Sequence, residues 1–367
     1  MKKRLFSLLL VSALVFTLSG CREKFLLRES DPVTLNFWHV YGEQSGSPMD
    51  LLVQEFNRTV GQEKGVRVQV TNLSSASKIG GFLKEAQKGG RDAPEMPDLF
   101  TCHISDATAL GSDNLVDWNA RFTAEELSNF VPGFLADGMT EDGTLLLFPI
   151  SKSTQLLMCN GSGFARSLAQ GHVVVSDLYS NTQVMTGDVL SGLGSSAAIL
   201  YYNDTVTYRD GTQEPMDLHV LPMPKTAGAD ALMTQAGVGL CAYKTTDQKA
   251  EAAALFVRWL TESERNLDFV AQTGYMPVRN GAFDAIENYD KFPEPTESYR
   301  QLYAALKIMQ ESYTPLSEPR FEGYYGKVSQ LYDGLRKMQQ ELPARAAAGE
   351  SIDTLAEETW ALLCAIH

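Results

Sequence analysis

Cys21 is the residue whose neighbours prescribe its chemistry most clearly. Lys2, Lys3 and Arg4 form a positive start, and residues 5–17 are an apolar run too short to span a bilayer comfortably. Leu18-Ser19-Gly20-Cys21 then matches the bacterial lipobox, in which small residues precede a cysteine that receives acyl chains. The alternative is an ordinary cleaved leader followed by a chance cysteine. Cys102, Cys159, Cys241 and Cys364 match no compact disulfide scaffold, and Cys159 and Cys241 lie in apolar runs that suit buried thiols. The histidines at 39, 103, 172, 219 and 367 lack metal-ligand spacing, so no metal or cofactor is expected.

Catalysis finds little support. The chain has neither a G-x-S-x-G elbow nor an H-E-x-x-H helix, so an enzyme is not expected. Glu262 and Glu264 read as part of a helix cap, and Asp113, Asp117, Glu125 and Glu126 as solvated surface. Gly192-x-Gly194-x-x-Ala197, with Asp210 beyond it, has the form of a dinucleotide fingerprint, but no first βαβ unit opens with it. What remains is a Gly-rich turn feeding a helix N-terminus, whose free N–H groups suit an anion or a hydroxyl.

The elements that would position such groups alternate. The sequence predicts strands over 33–40 and 66–70, another led by Pro97-Asp98-Leu99-Phe100, and helices over 48–57, 79–88 and from 106. That order predicts a parallel sheet covered by helices, with ligands at the carboxyl ends of the strands. His39, Tyr41, residues 74–77 and residues 102–105 fall there. Apolar runs over 145–150 and 154–159 are joined by Ser151-Lys152-Ser153, for which a hairpin-like turn with exposed serines is the lesser alternative. A strand over 237–243 precedes a helix capped by Thr245 and Gln248, with Ala250, Ala253, Ala254, Val257 and Leu260 on one face. Thr261 and Glu264 cap the next helix, Gly274 ends it in a left-handed residue, and Tyr275-Met276-Pro277-Val278 follows as an extended segment. Later helices are expected over 298–309, 324–340 and 352–363. At 367 residues, with 44% hydrophobic composition and a net charge of -14, this is a globular chain of one or two domains. Its acidity argues against a nucleic-acid partner.

Several of these stretches resemble the extracellular solute-binding proteins of ABC importers, in the branch that binds sugars and glycerol-3-phosphate. The resemblance rests on K-T-T-D-Q-K-A-E-A-A (244–253), L-T-E-S-E (260–264) and T-G-Y-M-P-V (273–278). It extends to F-W-H (37–39), E-F-N (55–57), P-D-L-F (97–100), L-V-D-W (115–118) and P-M-P-K (222–225). It implies an α/β, two-lobed periplasmic-binding-protein-like fold of type II. Residues 1–20 would be a lipoprotein signal peptide and 21–32 a lipid-anchored tether. The N-terminal lobe would take 31–150 and 236–312, and the C-terminal lobe 151–235 and 313–367.

The resemblance also implies ligand contacts at Ser153, Ser195, Gly237 and Tyr275, converging from four segments on one cleft. Arg320 matches an arginine that pairs with phosphate, although a solvated loop arginine is equally in keeping with its place. His103 and Ala76 stand where the family carries a Glu and a Tyr. Trp38, inside an apolar strand, is expected in the core. The family's long helical section before the Gly-Ser-Ser turn is shortened here around Phe164 and Ala165, which predicts a reduced second lobe and a shallower cleft. The function implied is capture of a carbohydrate-type solute (sugar, oligosaccharide or glycerol-3-phosphate-like) for a membrane permease, from a lipid anchor on the extracytoplasmic face. A non-transporting sensor or decayed paralogue, and more remotely a secreted hydrolase, are the alternatives.

Overall fold

The computed structural model describes residues 26–42, 46–73, 76–160, 179–225, 228, 230–321 and 324–350. Cys21, the joint at 164–165, Ser74, Ser75 and the helix expected over 352–363 lie outside them. The first half runs β1 (Val33–His39), α1 (Pro48–Arg58), α2 (Val60–Lys64), β2 (Val66–Asn72), α3 (Ala76–Lys88), β3 (Leu99–Cys102) and α4 (Ile104–Leu110). Short helices α5 (Ala124–Ser128) and α6 (Pro132–Asp137) follow, then β4 (Gln155–Asn160), α7 (Ser180–Met185) and β5 (Ser191–Ser195). The strands β6 (Thr205–Thr207), β7 (Gln213–Pro215), β8 (Leu218–Leu221), β9 (Leu232–Gln235) and β10 (Gly239–Ala242) come next. The chain continues through α8 (Asp247–Leu260), α9 (Ser263–Thr273), α10 (Asn280–Ala285), α11 (Thr296–Ser312), β11 (Thr314–Ser317) and α12 (Tyr324–Ala347).

Two sheets organise this chain. The first has the order β10-β3-β1-β2, with β1 parallel to both neighbours and β10 antiparallel to β3. Leu35 and Phe37 of β1 are fully buried, and Phe37, Phe56 and Phe256 meet edge to face at 5.0 to 5.8 Å. Trp38 packs edge-on against Phe82 and is 9% exposed, a core residue as its apolar strand predicts. The small side chains Ala250, Ala253 and Ala254 bury one face of α8, so its backbone lies close to β1. The second sheet is antiparallel throughout, in the order β5-β4-β8. Helix α11 packs across it at β8, where Gln301 Oε1 accepts from the Val220 N–H at 3.1 Å.

Local chemistry departs from expectation at three points. The cap of α8 is Thr246 rather than Thr245; its hydroxyl accepts from Lys249 N, while Gln248 donates to the Asp31 carbonyl. Thr261 does not cap α9, because its buried hydroxyl is spent on the Val257 carbonyl at 2.8 Å. The Gly192–Gly194 segment is strand β5 rather than a turn. It leads into a six-residue 3-10 helix (Ser196–Tyr201), and a Cβ at Gly192 would meet Ser180 Oγ at 2.6 Å. The left-handed end of α9 at Gly274 is as read, with φ 69°.

Candidate functional site

The chain passes between the two sheets at several adjoining segments. Ser153 and Ala236 exchange backbone hydrogen bonds at 3.0 Å each, and Lys152 N donates to Met276 O at 3.1 Å. Strand β11 then returns parallel to β9, placing Ser317 beside Gln235. Each segment is held by backbone pairing, so side chains and glycines along the seam are fixed in position.

Beside this seam lies a cavity of about 650 Å³. Its lining includes His103, Asp106, Asp137, Gln235, Gly237 and Arg320. Gly237 has φ 104°, a region that other residues rarely adopt, and the nearest atom to a Cβ there would be Ser153 N at 3.7 Å. His103 ends the β3 segment and precedes α4, its carbonyl accepting from the Asp106 and Ala107 N–H groups. Burial depresses the imidazole pKa; the Glu318 and Asp106 carboxylates, and more weakly Asp137, oppose that shift while Lys152 adds to it. Burial moves the Asp106 carboxyl the other way, upward, against the pull of His103 and Lys84.

The predicted site residues fall into three places. His103, Gly237 and Arg320 line the one cavity; Ser153 is not in its lining but lies on the seam, 5% exposed, its Oγ 3.4 Å from Ser196 Oγ. Ser195 lines a separate cavity of about 260 Å³ with Tyr179, Asn181 and Tyr201. There the rings of Tyr179 and Tyr201 lie parallel within 7°. Tyr275 packs edge-on against Tyr41 at 6.2 Å and its carbonyl accepts from Tyr303 Oη, in a third place next to the seam. Tyr41 is buried, its hydroxyl 3.1 Å from Ser151 Oγ, and His39 is fully enclosed with Nε2 2.9 Å from Asp50 Oδ1.

Sequence reasoning passed over the groups between these residues. Lys152, 1% exposed, forms an ion pair with Asp137. Gln235 is 3% exposed and its Oε1 has no hydrogen-bond partner among the described residues. Lys152 was legible as a cation between two apolar runs; Gln235 gave no signal, since its burial depends on β9 pairing with a strand 82 positions further on. Arg320 donates to the carbonyls of Ala136, Asp137 and Met139, at the C-terminal end of α6.

This architecture is that of the two-lobed extracellular solute-binding proteins. Residues 164–294 match the family model described as "Bacterial extracellular solute-binding protein". The cyclic alpha-maltosyl-1,6-maltose binding protein of Arthrobacter globiformis superposes with a TM-score of 0.62 at 14% identity, over 91% of this chain and 99% of that one. UgpB of Mycobacterium tuberculosis, solved with glycerophosphocholine, gives 0.61 at 15% identity over 91% and 99%. The sugar-binding protein MalE of Xanthomonas citri gives 0.60 at 13% identity over 89% and 95%. No curated protein matches by sequence.

Proposed function

We propose that this protein captures a carbohydrate-type solute (sugar, oligosaccharide or glycerol-3-phosphate-like) in the cleft at the seam and delivers it to the permease of an ABC importer. The observation that carries this reading is the cavity itself: a polar pocket placed where several crossing segments meet, on a fold shared with sugar-binding proteins. Ligand pockets favour such junctions, because closure about the crossings then buries the ligand from both sides. In this reading the first lobe takes 31–150 and 236–312, the second 151–235 and 313–367, and Ser153, Gly237, His103 and Arg320 face the ligand. Ser195 and Tyr275 stand on the flanks and contact it as the lobes close.

The match of residues 164–294 to a family model of extracellular proteins supports a mature chain outside the cytoplasm. Acylation of Cys21 would hold it at the membrane beside its permease, tethered through residues 21–32. Titration calorimetry of the mature chain against neutral sugars and polyol phosphates tests the reading. Binding of at least one member with a stoichiometry near one supports it, and heat from none of them refutes it.

A further inference from the structure

We infer that Cys102 and Cys241 close to a disulfide as the exported chain folds, cross-linking edge strand β10 to β3, an inference that goes beyond the solute reading and rests on the extracytoplasmic placement above. The two residues are 139 positions apart, yet their sulfurs lie 3.7 Å from each other, both buried. The register explains the meeting. Gly239 stands opposite Cys102 and Cys241 opposite Phe100, so the cysteines are diagonal neighbours on one face of the sheet. The position directly across from Cys102 is bare, and a Cβ at Gly239 would meet Leu147 Cγ at 2.5 Å and Phe148 O at 2.9 Å. That bare position lets the Cys102 side chain lean across to Cys241. A sulfur–sulfur bond of about 2.05 Å asks each atom to move by under about 1 Å, a shift on the scale of a side-chain rotation.

The surroundings accept the oxidised pair without losing a hydrogen-bond partner. As thiols, Cys102 donates to Cys241, and Cys241 donates to the Leu146 carbonyl at 3.0 Å. Oxidation removes both donors, but that carbonyl keeps the Trp118 indole N–H at 3.1 Å, so no buried acceptor is orphaned. Both cysteines are fully enclosed in a cluster that includes Trp38, Phe100, Leu110 and Leu147. Burial first, and then the Cys241 sulfur beside it, push the Cys102 thiol well above its ordinary pKa. The thiolate is the attacking species in disulfide exchange, so the folded pair is inert and the bond forms while β10 is still docking. Compartments outside the cytoplasm are oxidising and supply exchangeable disulfides, small or protein-borne. One cysteine thiolate attacks such a disulfide, breaking its S–S bond and releasing one oxidant sulfur as a thiol. The second cysteine thiolate then attacks the protein sulfur of the mixed disulfide and releases the other. The cysteines lose two electrons and two protons, and the oxidant ends as two thiols. Cys102 immediately precedes His103, and Cys241 lies on the strand that Gly237 leads into. The bond thus ties together the two segments that bring His103 and Gly237 to the cavity.

The full chain, expressed with its leader in a bacterial host, is denatured with N-ethylmaleimide and no reductant, digested and mapped by mass spectrometry. A peptide pair joined through Cys102 and Cys241 is the expected result. Maleimide on both residues, or a bond from either to Cys159 or Cys364, overturns the inference. A second arm refolds the purified chain from urea, once with oxidised and reduced glutathione and once with dithiothreitol. The glutathione product is expected to carry the same linkage and to melt roughly 10 °C above the reduced one, since a cross-link over so long a loop strongly restricts the unfolded chain. Cys102→Ala and Cys241→Ala should each melt near the reduced parent and show no difference between the two refolding buffers. A parent that refolds with glutathione to two free thiols, or that melts alike from both buffers, sinks the disulfide whatever the compartment. Cell fractionation reports separately on location. A chain found in the cytoplasm ends the extracytoplasmic placement, and the refolding arm then decides the disulfide by itself.

Discussion

Lys152 and Asp137 form an ion pair beneath the cleft, with the lysine 1% exposed and its backbone N–H bonded to Met276 on the neighbouring crossing segment. A lysine is rarely so buried without a partner, because leaving its charge in the interior unpaired costs several kcal/mol. The pair therefore ties the end of α6, whose carbonyls Arg320 also binds, to the first crossing of the chain.

Removing one partner should thus cost more than removing both. Lys152→Met leaves Asp137 uncompensated and is expected to destabilise the fold by about 3 kcal/mol. Adding Asp137→Leu to it should recover a large part of that loss. Urea denaturation of the two single variants and the double variant measures the coupling. Additive losses would mean that the two charges do not depend on each other.

Stability should also respond to pH through His39. Its Nδ1 accepts from the Tyr41 N–H and its Nε2 faces Asp50, so the ring is held neutral with one proton on Nε2. Burial depresses its pKa below the ordinary value, with the Asp50 bond opposing. The folded state therefore binds fewer protons than the unfolded state. The stability that His39 contributes is full above its unfolded pKa of about 6.5 and is lost as pH falls below that value toward the folded pKa. His103 is depressed by burial too and adds in the same sense. Urea midpoints should fall between pH 7.5 and 5.5, and His39→Gln should flatten that slope. A slope unchanged by the substitution would locate the titration elsewhere.

Much of the first sheet was legible because its signals are local. β1 and α1 carry strong apolar periodicity, and their observed bounds differ from the expected ones by a single residue. Gly274 was legible for the same reason, a glycine placed where a helix pattern stops. The β5 glycines were not: a Gly-rich run reads as a turn, and only the tertiary contact with Ser180 explains why Gly192 sits in a strand. The cleft divides likewise. His103 and Gly237 came from a family resemblance, whereas Gln235 and the Lys152–Asp137 pair are set by pairings between separate segments that no short motif records. The expected shortening of the second lobe turns on the joint at 164–165, outside the described residues; the similar structures are covered over 95 to 99% of their length.

The anchor makes a prediction independent of the cleft. Acyl chains on Cys21 would give stable membrane attachment, and the acidic body adds no electrostatic attraction to an anionic surface. Cys21→Ala expressed in a bacterial host should leave the membrane fraction for the soluble extracytoplasmic one while keeping its fold, read as an unchanged thermal midpoint. Retention of the variant with membranes would show that something other than acylation holds it there.

Two glycines of the crossing region should behave differently when given a side chain. Gly237 has φ 104° but open space about it, since a methyl there would find no atom nearer than Ser153 N at 3.7 Å. Gly274 has φ 69°, and a methyl there would meet Ile199 Cγ2 at 2.8 Å, Ala197 Cα at 2.9 Å and Ser196 O at 3.0 Å. Backbone strain alone costs on the order of 1 kcal/mol, whereas a clash with fixed backbone atoms adds to it and shifts the neighbouring segment. Gly274→Ala should therefore lose roughly 3 kcal/mol and push the 3-10 helix at 196–201 away from the crossing. That displacement moves Ser196 from Ser153 and should weaken ligand binding as well as the fold. Gly237→Ala should cost only about 1 kcal/mol in stability and reduce affinity instead, since its methyl projects toward the cleft. Chemical denaturation and calorimetry on both variants decide the matter. Equal losses of stability would mean that the contacts of Gly274 with residues 196–199 do not constrain the crossing.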